Sequence, residues 1–165
     1  MTGQAVARLA VYAGSFDPVT AGHLDLIERS SALFSEVIVA IGVHPTRHPL
    51  FSAEERTELI TGVVSHLKNV EVDSFDGLLV EYCARKKVRV VLRGLRAVAD
   101  FEYELQMANM NRHLDRKVET VFLMANDAYF YVSSNIVKEA ASLGGDVSAL
   151  VPPNVSVRLK SKLGR

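Results

Sequence analysis

The chain has little of several features that would tie it to a particular environment or partner. Of its 165 residues only Cys83 is a cysteine, so neither an internal disulfide nor a multi-cysteine metal site can form. Lysine and arginine number 19, as do aspartate and glutamate, and a duplex nucleic-acid binder would carry a basic excess. No run approaches the roughly 18 apolar residues of a membrane span. We therefore expect a cytoplasmic protein that binds neither nucleic acid nor membrane, with Cys83 buried as a small hydrophobe.

Several sequence fingerprints of common enzyme classes are also missing. There is no GxxxxGK[ST] phosphate loop and no GxGxxG after the first predicted strand, which disfavours common ATPases and dehydrogenases. No G-x-S-x-G elbow marks a serine hydrolase. His44 and His48 lie in a proline-containing loop, so no histidine pair has the helical spacing of a zinc site. These absences disfavour kinase, dehydrogenase, serine-hydrolase and zinc-enzyme chemistry without yet indicating another.

What the chain does have is a regular alternation of apolar, β-branched runs with helical periodicities. The first predicted helix has Leu24, Ile27 and Leu33 on one side. The other predicted helices cover residues 52–67, 78–86, 100–114 and 134–143, and a short C-terminal helix covers 155–163. The predicted strands are Leu9–Tyr12, Glu36–Gly42, Val70–Val72, Val88–Leu92 and Thr120–Met124. This order predicts an α/β fold, a Rossmann-like doubly wound five-stranded parallel sheet with helices on both faces. We expect one domain over residues 1–165.

The fourth predicted helix has two apolar stripes instead of one. Phe101, Leu105 and Ala108 form the first stripe, and the second contains Tyr103, Met107, Met110 and Leu114. Because a helix that is apolar on two sides is covered on two sides, one stripe needs a partner beyond the sheet. We predict a homo-oligomer; the alternative is that the C-terminal helix covers this face.

Small residues, cations and hydroxyls follow the predicted strands where each one ends. In a parallel α/β sheet these ends form one edge, where ligands bind. The segments are Gly14–Pro18, His44–His48, Phe75–Gly77, Arg93–Arg96 and Tyr129–Ser134. Together they indicate an anion-binding and aromatic site suited to a nucleotide.

Each of these segments also has a purely structural interpretation. Gly14-Ser15 could be a tight turn, Thr20 a helix N-cap with His23 structural, and Ser133-Ser134-Asn135 the cap of the fifth helix. Arg93 and Arg96 could be surface charges, although Arg93 directly follows a buried predicted strand. Capping and phosphate binding use the same unpaired N–H groups, so the two interpretations are compatible at helix starts.

Three of these segments resemble known signatures. Ser15 to His23 (SFDPVTAGH) resembles the [T/S]-x-G-H signature of nucleotidyltransferases, and Val132 to Lys138 (VSSNIVK) resembles their second signature, I-S-S-[ST]-x-x-[KR]. Arg93 to Glu104 (RGLRAVADFEYE) resembles the motif of the phosphopantetheine adenylyltransferase family. The resemblance runs from about Ala10 to about Gly145.

The resemblance implies transfer of the adenylyl group of ATP to 4′-phosphopantetheine, with Mg²⁺ carried by ATP, no protein ligand assigned to the metal, and a hexamer. It implies that His23 stabilises the transition state and that Ser15 contacts the reacting phosphates. It places phosphopantetheine against Ser15, Arg47, Leu79 and Arg93. It places ATP against Ser15, Phe16, His23, Gly94, Leu95, Arg96, Glu104, Tyr129, Phe130, Tyr131, Val132, Ser133, Ser134 and Asn135.

The chain departs from the family pattern at three of these positions. Arg47 replaces the usual lysine, and a planar guanidinium binds phosphate differently from an ammonium group. Asn135 replaces a third serine and Ser15 the commoner threonine. Other acceptors of the same superfamily, or ATP binding without catalysis, are the alternatives.

Overall fold

Five strands rich in β-branched residues pair in parallel as a single sheet. They are β1 (Leu9–Gly14), β2 (Glu36–Val43), β3 (Val70–Asp76), β4 (Val90–Leu95) and β5 (Glu119–Met124), in the spatial order β3-β2-β1-β4-β5. The structure, a computed structural model, describes residues 9–164 apart from the side chain of Ala99. Residues 1–8 and 165 of the predicted domain lie outside the described residues. The predicted Rossmann-like fold is confirmed.

Helices connect the strands and follow the sheet. They are α1 (Ala21–Leu33), α2 (Ala53–Val63), α3 (Leu79–Lys86), α4 (Val98–Leu114), α5 (Ser134–Ser142) and α6 (Pro153–Lys162), with a 3₁₀ turn at Asp127–Tyr129. A capping box opens α2, since Ser52 accepts from the Glu55 amide and Glu55 accepts from the Ser52 amide. After α5, Gly144 adopts a left-handed φ of 88°, which suits a glycine beyond a helix end.

Apolar cores lie on both faces of the sheet. Tyr12, Val39 and Leu92 face the core under α1, α2, α5 and α6, whereas Val11, Ile38 and Val91 face the one under α3. Cys83 is fully buried in the second core, as predicted. Strand residues alternate between the two cores because successive side chains point to opposite faces. This two-sided burial is what a doubly wound sheet requires.

Some element boundaries differ from the prediction. β4 runs to Leu95, so Arg93 lies within the strand and not after it, because its side chain finds partners at the sheet edge. β3 extends through Asp76. The last helix begins at Pro153, where proline suits the first helical position.

Both predicted apolar stripes of α4 stay exposed, because its buried residues, Glu104 and Asn111, lie on a third side. Val98, Phe101, Tyr103, Leu105, Met107, Met110 and Leu114 are each at least 39% exposed. The alternative that the C-terminal helix covers one of these stripes is wrong. That helix packs on α2, where Arg158 pairs with Glu58 and Lys162 with Glu55.

The direction in which successive strands are added to the sheet reverses at β1. The chain builds β1, β2 and β3 outward, then crosses back so that β4 lies on the other side of β1. Such a switch point leaves a crevice at the carboxyl ends of the two central strands. Within residues 9–164 no helix combines the length and apolar character needed to cross a membrane.

Candidate active site

A cavity of about 410 Å³ occupies the crevice between β1 and β4. Residues from the ends of both strands, the starts of α1 and α5, and one face of α4 line it. The predicted site residues among its lining are Ser15, Phe16, His23, Gly94, Arg93, Arg96, Glu104, Tyr129, Val132, Ser133, Ser134 and Asn135. The structure therefore brings three separate sequence signatures to one place.

The loop after β1, residues 14–20, is held from several directions. The Arg56 guanidinium, which is buried, donates to the Ser15 carbonyl at 2.7 Å. Asp17 is also buried and accepts from the amides of Leu50 and Phe51, each at 2.9 Å. Because these bonds fix the backbone, Ser15 is presented to the cavity on a rigid support.

A buried ion pair links the first and second signatures. The Lys138 ammonium lies 2.8 Å from the Asp17 carboxylate, and the Ser134 hydroxyl donates to the Pro18 carbonyl at 2.8 Å. Asp17 and Lys138 lie within these signatures, but no role was predicted for either. Arg56 lay in a helix with no signal that singled it out. The loop after β1 and the start of α5 thus form one structural unit.

His23 has a defined protonation state. The Thr20 amide donates to its Nδ1 at 3.0 Å, and the His23 amide donates back to the Thr20 hydroxyl at 3.3 Å. Because Nδ1 accepts a hydrogen bond, the ring proton lies on Nε2. Burial, together with the charges of Arg96 and Arg93, lowers the pKa of His23 to about 4. At neutral pH the imidazole is therefore uncharged and has a single N–H donor at Nε2.

Arg93 is anchored by both ends of its guanidinium. It forms a bidentate pair with the Glu104 carboxylate of α4, with Nε to Oε2 at 2.7 Å, and also donates to the Ala13 carbonyl. A fork of this kind fixes orientation as well as charge. The pair explains how an arginine can lie inside β4 beside a buried strand.

Arg96, which directly follows β4, is held in a similar way. It donates to both oxygens of Asp100, at 2.9 and 3.2 Å, and to the Val132 carbonyl at 2.8 Å. The last bond ties β4 to the segment before α5. Asp100 lines the cavity and was not predicted as a site residue.

Two helices begin at the cavity wall and aim their amide ends at it. Thr20 caps α1 and Ser133 caps α5, where its hydroxyl accepts from the Ile136 amide at 3.2 Å. The capping predicted for both segments is present. Helix starts carry partial positive charge and unpaired N–H groups, so they bind anions. With two arginines and a neutral histidine donor, the cavity suits a polyanion such as a triphosphate.

Five predicted site residues do not line this cavity. Arg47 lies in an exposed loop after β2, and Leu79 begins α3. Phe130 and Tyr131 are 52% and 69% exposed, and Leu95 is partly buried at the end of β4. Their predicted contacts remain predictions. Among the described side chains, no three His, Cys, Asp or Glu residues are grouped as a metal site.

Known proteins similar to this chain share one activity in their names. A family described as cytidylyltransferase-like matches residues 11–140. The phosphopantetheine adenylyltransferase of Desulfosudis oleivorans is 51% identical over 157 residues, or 95% of this chain and 94% of the relative. That of Thermosynechococcus vestitus is 55% identical over 153 residues, with 93% and 91% covered. That of Heliobacterium modesticaldum is 52% identical over 156 residues, with 94% and 93% covered.

Proposed function

The chain belongs to the phosphopantetheine adenylyltransferase family, the nucleotidyltransferases of coenzyme A biosynthesis, and we propose that the cavity between β1 and β4 is where it performs their reaction. The enzyme transfers the adenylyl group of ATP to 4′-phosphopantetheine and produces dephospho-coenzyme A and pyrophosphate. An oxygen of the acceptor phosphate forms a bond to the α-phosphorus, and the bond from that phosphorus to the β-phosphate bridging oxygen breaks. Pyrophosphate leaves with the electron pair.

The observation that carries this assignment is the neutral His23 at a helix start, in a cavity that Arg93 and Arg96 also line. The attacking phosphate is already an anion, so the reaction needs no general base. What it needs is a donor aimed at the charge that grows on the transferred phosphoryl group. The Nε2–H of His23, fixed by the amide of Thr20, is such a donor. The N-terminus of α1 disfavours a cation there, which is consistent with a neutral ring.

The arginines divide the substrates between them in this proposal. Arg93, with Arg47 from the loop after β2 and Leu79 from the start of α3, holds 4′-phosphopantetheine. Arg96 binds the β- and γ-phosphates, and Gly94, Leu95 and the segment 129–135 surround the rest of ATP. A direct contact of Glu104 with ATP stays a prediction, since its carboxylate already holds Arg93. ATP enters as its Mg²⁺ complex, with the metal on phosphate oxygens and water.

Pyrophosphate release tests the reaction. We expect release from MgATP that requires 4′-phosphopantetheine and is absent with pantetheine, which lacks the attacking phosphate. In His23→Ala, kcat should fall by about 10²–10³-fold while ATP affinity changes little. ATP binding without release would indicate a non-catalytic protein, and release with nicotinate mononucleotide or glycerol phosphate would indicate another acceptor.

The two exposed apolar stripes of α4 support a homo-oligomer, and the family supports a hexamer. Apolar stripes that nothing in the chain covers mark protein interfaces. Sedimentation should give a species larger than the monomer at micromolar concentration, which the double change Leu105→Glu with Met110→Glu dissociates. Leu143→Glu, at a residue 79% exposed beyond α5, is the control. A monomeric parent protein would contradict the proposal.

We also assign the enzyme to the cytoplasm, where ATP is abundant and a lone thiol such as Cys83 stays reduced. Fractionation of cells that produce the chain without a tag tests this assignment.

A further inference from the structure

Tyr12 is a buried residue of β1 that the proposed reaction does not yet use. Its side chain is 6% exposed and lines the cavity, with its ring packed edge-on against Phe16 at 5.3 Å between centroids. The His23 ring lies 6.4 Å away. None of the three signatures includes it, because it precedes the first one by three residues.

The hydroxyl of Tyr12 has no hydrogen-bond partner among the described residues. Tyr82, which is equally buried, differs, since its hydroxyl donates to Asp73 at 2.8 Å. Every fully enclosed polar side-chain atom of the described residues has a hydrogen-bond partner. Because the Tyr12 hydroxyl has none, it is not fully enclosed, and it retains access to the cavity. Buried tyrosines place their hydroxyl where it can bond, and here the open direction is the cavity.

The sheet register decides which part of the cavity the hydroxyl reaches. Tyr12 pairs with Leu92, so it shares the sheet face of Leu92 and Gly94, which α1 covers. A Cβ placed on Gly94 would lie 3.9 Å from the Tyr12 hydroxyl oxygen. Arg93 points to the opposite face, toward Glu104. Tyr12 therefore leaves the sheet on the face that α1, the helix of His23, covers, whereas Arg93 leaves it on the other face.

We propose that Tyr12 is a second catalytic donor, whose hydroxyl binds a non-bridging oxygen of the α-phosphate of ATP beside His23. This inference rests on the proposed adenylyl transfer. Burial raises the pKa of the phenol, so the hydroxyl keeps its proton. A neutral donor adds no charge near His23, whose imidazole must itself stay neutral. Two neutral donors then share the charge that develops on the transferred group.

Tyr12→Phe tests this assignment because it removes the hydroxyl and keeps the ring. We expect kcat to fall by up to about 10²-fold, with KM for both substrates within about twofold and Tm unchanged. Tyr82→Phe is the matched control: it loses a buried hydroxyl outside the cavity, so Tm should fall while kcat stays parental.

The two diastereomers of ATP with sulfur on the α-phosphorus give a readout that a structural role would not affect. If the hydroxyl binds one non-bridging oxygen, sulfur at that position slows the parent enzyme, and this penalty shrinks in Tyr12→Phe. The assignment would be overturned if Tyr12→Phe left kcat or the sulfur penalties unchanged, or raised KM for 4′-phosphopantetheine. It would also be overturned if Tyr82→Phe lost as much kcat as Tyr12→Phe. If the parent protein itself releases no pyrophosphate, the proposed function fails instead.

Discussion

The loops that follow β1 and β2 contribute to the same proposed site in opposite ways. In the first loop, residues 14–20, Phe16 to Thr20 are all buried, and side chains from α2 and α5 bond to its backbone and to Asp17. In the second loop, residues 44–49, every residue is exposed, and the hydrogen bonds of Thr46 and of the Arg47 amide stay within the loop. Rigid support suits the reacting centre, whereas an exposed loop suits a cation that meets an incoming substrate.

The first loop can be rigid because its own residues supply the partners. Phe16 adopts a left-handed φ of 47°, an uncommon conformation for a bulky residue, and its ring packs edge-on against His23 at 5.1 Å. Surrounding contacts must hold such a residue in place. Changes in the first loop should therefore alter stability and kcat together, and changes in the second loop should alter KM alone.

The largest expected effect is that of Asp17→Asn. The change leaves the Lys138 ammonium without its counter-charge in a mostly buried position, and breaking a buried pair costs about 3–5 kcal/mol. Because the Lys138 side chain is 27% exposed, we expect a loss of about 3 kcal/mol in urea unfolding, with a lower kcat. Asp25→Asn, which breaks a partly exposed pair with Arg29, should cost less than about 1 kcal/mol. Equal losses would show that the first loop is not specially supported.

A second effect follows from the depressed pKa of His23. The unfolded chain, with a pKa near 6.5, takes up a proton before the folded protein does at about 4. The stability that neutral His23 provides is therefore complete above pH 7 and is lost as the pH falls from about 6.5 to 4. Between pH 7 and 4.5 the parent should lose about 2–3 kcal/mol more than His23→Gln in urea unfolding. His66→Gln, at an exposed histidine, is the control and should lose stability in parallel with the parent. If His23→Gln also lost stability in parallel with the parent, a buried neutral ring would be contradicted.

Much of the fold and of the candidate site could be predicted from the sequence, for physical reasons. Alternating β-branched runs and helical periodicities predicted the sheet, since burial on both faces imposes those patterns. The strand ends had to meet at one edge, so Ser15, Arg96 and Ser134 could be grouped from the sequence alone. His23 joined them only through the family resemblance.

What the sequence could not provide are the partners that come from distant segments. Arg56 bonds to Ser15 across 41 residues, and Lys138 to Asp17 across 121. Nothing in the local pattern of α2 distinguishes a buried arginine from an exposed one. The end of β4 was missed for the same reason, because Arg93 looked too polar for a strand without its pair to Glu104.

Arg56→Lys also tests the support of the first loop, with a smaller expected loss of stability than Asp17→Asn. Lysine keeps the charge but cannot reach the carbonyls of Ser15, Ser52 and Gly42 together. We expect a loss of about 2 kcal/mol, from one or two lost hydrogen bonds, and a fall in kcat with little change in KM. Arg158→Lys is the control, because Arg158 of α6 forms an exposed pair with Glu58 of α2. This change should leave the stability and kcat unchanged. A rise in KM alone would mean that Arg56 does not act through Ser15.

The smallest effect should come from Arg47, the cation of the second loop. Its guanidinium has no charged or hydrogen-bonded partner among the described side chains, so Arg47→Ala should leave Tm unchanged. If it meets the phosphate of 4′-phosphopantetheine, KM for that substrate should rise about tenfold, which corresponds to about 1.4 kcal/mol. Arg47→Lys should restore most of the affinity because the charge remains. Arg89→Ala, an exposed arginine just before β4 at the opposite end of the sheet, is the control. A fall in kcat with KM unchanged would place Arg47 at the reacting centre and end the distinction between the two loops.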